Sequence, residues 1–495
     1  MNYAILNTAV KWLIAAASVF LLLGWNQPAK AVISCTDLFD GSGDAENPFQ
    51  IITVDDLNSV RSCRDYHFIL TKDLDASGDV VNPIGRSTMD SDYPFTGSFD
   101  GNDHSISNLS YVAYNCSEGS CSGIDEITTG LFGLIDSSAD IKDLTIRNIV
   151  IITGEDHAYA GALAGHMKNG SITNCTVSGS IELSKAFSMG VGGLIGTMEN
   201  GSIKKSSSSV TVSGDDYAGG LIGIMSGGAV ADSHASGNVE GADNVGGAIG
   251  KLSSGTVSET RSSGKVTGNN YVGGFAGYTI GDINKGHSEG DVSGDSYVGG
   301  FAGYTKTGTI EASISTGEVT GSTNYVGGFA GNHYDGTINS SFSTGNVNGT
   351  GETGGFVGRI SEGTVNNSYS TGNVAGSGPY IGGFVGLNAV GSINNSYSIG
   401  APSGGIADED WGGFAGSNDV VDGTQAVIAD SFWDIDSSAV GSDHGVGSGG
   451  GISDTLLGKS TVLMQTESTF TDASWDFENI WYLVNNAYPR LRGVN

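Results

Sequence analysis

The chain has 495 residues, 81 of them glycine, with 53 acidic against 21 basic side chains and a formal net charge of −32. A surface this acidic repels nucleic acid and anionic membranes, so neither is expected as a partner. Glycine far above the usual ~7% comes without a Gly-X-Y triplet, which excludes collagen and leaves turns and close backbone approach as its use.

In chain order, residues 1–31 are predicted to be a secretory signal peptide. Lys11 precedes an apolar run over 12–24, and Ala29-Lys30-Ala31 offers an A-x-A cleavage site. The run is short for a membrane span, and no later segment is apolar enough for one, so a secreted or cell-surface protein is expected. Cleavage would leave 19 basic against 53 acidic residues, a charge of −34. A second reading takes Val32-Ile33-Ser34-Cys35 as a lipoprotein box with a lipid on Cys35. Its distance from the apolar run argues against that.

Five cysteines are few for this length, and export permits them to pair. Cys116 and Cys121 could close a small loop, and Cys35 with Cys63 is the next pairing. Cys175 stands where most other repeats carry Ser, and is read as an unpaired buried thiol. The spacing fits no zinc motif.

Residues 32–155 form an irregular lead-in, with strand runs at 49–57, 66–70 and 95–109 joined by Asp- and Gly-bearing turns. A solenoid needs a cap over the open end of its core, and this segment is placed to supply one.

From 156 to 416 the chain repeats. The last glycine of a G-G-F-A-G element falls at Gly165, Gly196, Gly223, Gly250, Gly277, Gly303, Gly331, Gly358, Gly386 and Gly416, most often 27 residues apart. A fixed period in this range marks stacked repeats. An Ile or Val follows the landmark by seven residues in most units, and a second aliphatic comes nine later, as Ile310 and Val319 do. The short runs between Gly, Asn and Asp turns suit strands and carry no helical period. The expected fold is therefore all-β: a parallel β-helix, right-handed by the usual preference, of about eleven coils with a cap at each end. At ~4.8 Å per coil the rod would be roughly 50 Å long. A propeller blade usually takes about 40 residues or more, so 27 are too few.

Alternation back from Val319 points Ser315 and Ser313 inward, with Ser341, Ser343, Ser368, Ser370, Ser396 and Ser398 at the same phases. Inner serines are tolerable only if each hydroxyl is bonded. The residue between each pair then points outward: His234, Arg261, His287, Ile314, and finally Phe342, Tyr369 and Tyr397. These three rings are expected to stack ~4.8 Å apart on the outside of the rod. Exposed rings with hydroxyl tips suit sugar rings or a partner's edge, so they are the candidate ligand-binding residues. Residues 417–495 are expected to complete a last coil and a cap, with Trp475, Phe477 and Trp481 over the final coils.

These elements resemble the GLUG-motif repeat proteins. The lead-in carries Pro48-Phe49-Gln50-Ile51, Pro83-Ile84-Gly85 and Phe95-Thr96-Gly97-Ser98-Phe99-Asp100-Gly101. Gly192-Gly193-Leu194-Ile195-Gly196 opens a repeat of the form G-x-I-x-x-S-x-S-x-G-x-V. The ending runs from Trp475-Asp476-Phe477 through Ile480-Trp481 to Tyr488-Pro489-Arg490-Leu491. The resemblance implies a secreted or surface-attached bacterial β-helix of adhesin-like type, with no catalytic residues to carry over.

Other constellations are weaker. Gly445-Val446-Gly447-Ser448-Gly449-Gly450 contains G-x-G-x-x-G, but with no strand before it or helix after it, so a loop is expected. Asp215, Asp216, Asp243, Asn269, Asn270 and Asp295 gather in one turn of the repeat, where calcium is conceivable, but no nonapeptide calcium motif is present and a solvated turn is preferred. No cofactor is expected. Three function classes remain: an adhesin-like binding or structural rod recognising extracellular glycan or protein, a polysaccharide lyase or glycoside hydrolase, and an ice-binding surface. The second needs clustered carboxylates or a basic column along one groove, and no such column is present. The third needs a flat Thr-x-Thr array, and beside Thr316, Thr344 and Thr371 stand Ile or aromatic residues instead. The first is the expected class, without catalysis.

Overall fold

An apolar residue at one phase of every repeat becomes one continuous column in the computed structural model, which describes residues 34–88, 91–113, 127–153, 158–183, 190–405 and 411–494. The column starts at Phe49, Phe68 and Phe99, passes through Ile141, Ile172 and Ile203, and runs on through Ile283, Ile310 and Ile338 to Ile428. Its strands make a 14-stranded sheet, joined by parallel sheets of 12 and 11 strands and by a fourth parallel ladder. The chain is thus a β-solenoid of about 13 turns. The sequence period suggests eleven because the lead-in already winds, with turns too unequal in length to show a repeat. Within it, Val54–Ser59 is a helix where the sequence suggested strand, since Thr53 caps it by accepting from Asp56 N (3.1 Å).

Three devices hold the coil together. Phe275, Phe301, Phe329, Phe356, Phe384 and Phe414 stack inside it with centroids 4.7–4.9 Å apart, and none is exposed. The Gly-Gly pair is demanded by close approach: a Cβ on Gly328 would stand 2.2 Å from the Gly355 carbonyl oxygen. The inner serines are the third. The amides of Ser313, Ser341, Ser368 and Ser396 each donate to the next serine hydroxyl along the rod, over 3.1–3.4 Å. Each of those four hydroxyls donates in turn to the carbonyl two residues back. This satisfies the condition for burying them; the Ser288 and Ser315 hydroxyls find no partner. Cys175 takes the serine position at the start of this column, its amide donating to Ser206 Oγ (3.2 Å), and burial pushes its thiol up to about 12.

At the N-terminal end Phe39, Phe49 and Phe68 pack ring on ring over the first coil. Cys35 and Cys63 are joined by a disulfide. A thiol so engaged is not free to carry a lipid, which favours the disulfide over the lipoprotein reading of Cys35. Cys116 and Cys121 lie outside the described residues, as does the segment 1–31 expected to be a signal peptide. The bridge closes a loop with a sequence separation of 28 residues, so Cys63→Ser is expected to destabilise the N-terminal cap by ~3 kcal/mol. Amide exchange over 35–70 measures this, and unchanged protection there would refute it.

At the other end, Val446–Ser448 is a strand paired with Ala415–Asn418, not the expected loop, because the last coil needs a neighbour on that sheet. Among the described residues, no helix is long and apolar enough to cross a membrane.

Glu352 is a carboxylate largely withdrawn from water. Arg359 Nη1 donates to its Oε1 over 3.2 Å, yet burial outweighs the guanidinium and pushes the carboxyl up to about 7 from 4.5. Between those values the folded chain holds a proton that the unfolded chain releases, so stability falls as pH rises through that window. Relative to Glu352→Gln, the native protein should lose up to ~3 kcal/mol between pH 4.5 and 7. Parallel pH profiles for the two proteins would exclude this.

Candidate ligand-binding site

The outward residue of the serine-bearing strand changes character along the rod. It is His234, Arg261 and His287 in the middle coils, then Ile314, Phe342, Tyr369, Tyr397 and Phe432, all in register. The polar part is a surface network: Arg261 pairs with Glu289, His287 Nδ1 lies 3.5 Å from the same carboxylate, and His234 Nε2 is 3.0 Å from Ser263 Oγ.

The aromatic part is a true ladder. Phe342 and Tyr369 stack with centroids 4.7 Å apart at 5°, Tyr369 and Tyr397 at 4.9 Å and 6°. Behind them Ser343, Ser370 and Ser398 point inward and donate to Gly355, Gly383 and Gly413 carbonyls over 2.7–2.8 Å, which fixes the rings outward.

They are not, however, exposed. Tyr369 is 8% and Tyr397 only 1% accessible, and Phe342 is half-buried. The C-terminal segment folds back along this flank. Trp481 lies 6.3 Å from Tyr369 and 6.0 Å from Tyr397, Tyr488 stacks on Tyr397 at 6.3 Å, and Tyr397 donates its hydroxyl to the Pro489 carbonyl (2.7 Å). Phe470 and Trp475 cover Phe432. So the ladder is the seat of an arm, and the cap tryptophans pack on the side of the last coils. The reason is area: bare rings on one flank and an aromatic-rich tail each gain by burial, which no polar column nearer the N-terminus offers.

Asp434, wholly buried, ties coil to arm. It caps the helix Ile435–Ser438, accepting from Asp436 N and Ser437 N, and also accepts from Thr461 Oγ1 (2.8 Å) and the Tyr488 hydroxyl (2.6 Å). Burial, with that bond to a carboxylate, pushes the Tyr488 phenol up to about 12. The arm ends in a hairpin that pairs Trp481 with Leu491 and Tyr482 with Arg490.

Arm and coil do not close completely. Between them is a cleft of about 620 Å³. Phe342, Tyr369 and Tyr397 form its floor beside Thr344 and Thr371, which directly follow the Phe342 and Tyr369 strands. Tyr482, Asn486, Tyr488 and Arg490 face them from the arm. The cleft offers the half-buried Phe342 ring, hydroxyls, the Gln465 and Asn486 amides and a guanidinium. Among the described residues no Asp, Glu or His lines it. The sequence singled out its floor and missed its roof. The available signal was the switch from charged to aromatic residues at Ile314, which implies a cover.

The turn acids lie elsewhere. Asn270 Nδ2 donates to Asp243 Oδ1 (2.8 Å) and Ser322 bonds Asp295, so these side chains bridge adjacent coils. Among the described residues, no three His, Cys, Asp or Glu are grouped to hold a metal.

Residues 156–182 match the family model described as the GLUG motif. Over 158 residues, 30% of the chain, the sequence is 34% identical to halomucin of Haloquadratum walsbyi, of which the matched stretch covers only 2%. Among solved structures, a proposed immunoglobulin A1 protease from Bacteroides ovatus aligns over 92% of this chain and 95% of its own, at 17% identity and a TM-score of 0.23. A likeness that distant carries no argument about fold or activity.

Proposed function

From a chain that carries the GLUG motif on a β-solenoid, both of which fit a surface or structural protein, we infer an exported, adhesin-like binding protein that recognises extracellular glycan. The observation that supports the reading is the cleft, at whose open edge the half-buried Phe342 ring stands beside threonine hydroxyls and an arginine. Sugar rings present an apolar face to stack and hydroxyls to bond, and both needs are met there. No acidic side chain among the described lining residues is placed for cleavage, so binding without turnover is the proposed activity.

Because Tyr369 and Tyr397 seat the arm, the test uses the cleft's open edge. Phe342→Ser with Arg490→Ala, screened on a glycan array beside the native protein, should lose binding by about tenfold or more, the worth of one ring stack plus one charged hydrogen bond. Unchanged binding would remove the cleft from the reading. Product assays on the bound glycans are expected to show no cleavage, and released oligosaccharides would favour the lyase or hydrolase alternative.

A further inference from the structure

A second aromatic surface runs along a different flank and is used by none of the foregoing. Just before the Gly-Gly corner, Asn244, Tyr271, Tyr297, Tyr325 and Glu352 occupy one phase in five successive turns, immediately preceding the paired residues Val245, Val272, Val298, Val326 and Thr353. Beside them Lys251, Tyr278, Tyr304, Asn332 and Arg359 are paired in register. Rings from the two columns meet edge-on, Tyr271 with Tyr304 at 5.7 Å and Tyr297 with Tyr304 at 5.8 Å. Within a column they stack: Tyr271 on Tyr297 at 4.7 Å, Tyr278 on Tyr304 at 5.2 Å. The result is a two-ring-wide stripe, each of these tyrosines half exposed.

The backbone under the stripe turns through the left-handed region, as it also does at Tyr217 and Tyr380 of the same phase and at a second corner of successive coils. Tyr271, Tyr297 and Tyr325 have φ of 54°, 55° and 51°, the left-handed region that a side chain with a β-carbon disfavours. Asn is among the few residues at ease there, and Asn244 holds the same position at φ 57°. Neither column faces the core, so core packing does not account for the rings.

Charge selects the occupant. Lys251 closes one end, over the Tyr278 ring at 5.6 Å, and Arg359, paired with Glu352, closes the other, over Tyr325 at 5.4 Å. The three turns between carry only rings, hydroxyls and the Asn332 amide. Burial and neighbouring phenols raise the Tyr278, Tyr297 and Tyr304 hydroxyls, which therefore stay neutral. On so acidic a chain this is a nearly uncharged strip. An anionic polymer or a second copy of the chain would meet the repulsion of the surrounding surface. A neutral sugar polymer meets none, and a row of rings at near-constant spacing matches a chain of repeating rings.

We propose that the tyrosine stripe binds an uncharged linear polysaccharide laid along the rod, its sugars packed on the outward ring edges and hydroxyls of Tyr271, Tyr278, Tyr297 and Tyr304. This is a site apart from the cleft and stands or falls independently of it.

The repeat supplies its own substitutions: Asn at 271 and 297, as in Asn244, and Asn at 304, as in Asn332. The native protein and Tyr271→Asn/Tyr297→Asn/Tyr304→Asn are each mixed with insoluble cellulose, chitin or β-1,3-glucan, and with alginate as the anionic comparison. Depletion of the native protein by at least one neutral polymer is expected, with the triple variant about tenfold or more weaker and its melting curve little changed. Equal binding by the triple variant, binding to alginate alone, or no binding of the native protein to any neutral polymer would each overturn the proposal.

Discussion

Phe329→Ala should lower the unfolding free energy by about 3–5 kcal/mol, the upper range for a large buried ring. Phe329 is fully buried, with Phe301 and Phe356 each 4.7 Å away. Shrinking the cavity would require the coils to close up, and the glycine contacts that set their separation already leave no room for a Cβ. Both neighbouring rings would therefore lose one face of contact. In a solenoid the damage reaches the adjacent turns first, since each turn touches only its neighbours. Urea unfolding, with amide exchange over 290–390, measures the loss, and a change below about 1 kcal/mol would mean the ring is not part of the structural column.

Removing residues 460–495 is expected to cost more than stability. The arm's two short helices and its hairpin cover Tyr369, Tyr397 and Phe432, and each large side chain returned to water forfeits about 1.5–3 kcal/mol. Three adjacent bare rings form a contiguous apolar flank, which soluble monomers rarely tolerate. The truncated chain should bind a hydrophobic dye, associate, and lose the protection of Ser370 and Ser398. A soluble monomer with the native melting curve would show that the ladder needs no cover. Asp434→Asn tests the same joint more gently, because it keeps the shape while removing the charge that accepts from Thr461 and Tyr488.

The repeat architecture was legible because it is a matter of period. Ile310, Val319 and the inner serines recur at fixed distances, and stacked identical coils must place identical residues in one column. Ring spacing in Phe342, Tyr369 and Tyr397 follows from the same arithmetic. The coil count fell short because the turns from Phe49 to Thr153 vary in length, and period is blind to a coil that does not repeat. What period also cannot tell is which outward column stays outward. Tyr397 and His287 share a phase, yet one is sealed and the other half-exposed, because an arm some 80 residues further on lies over only the last coils. Nor does period reveal that Tyr271 and Tyr278, seven residues apart, face the same flank. The sharp corner at the Gly-Gly pair, with Tyr271 in a left-handed turn, brings them together. By itself the sequence determined a parallel β-solenoid, its inner columns and the rings along it. Only the tertiary structure decided which rings are covered and which meet solvent, because burial there depends on a non-repeating tail and on backbone turns, neither of which leaves a periodic signal.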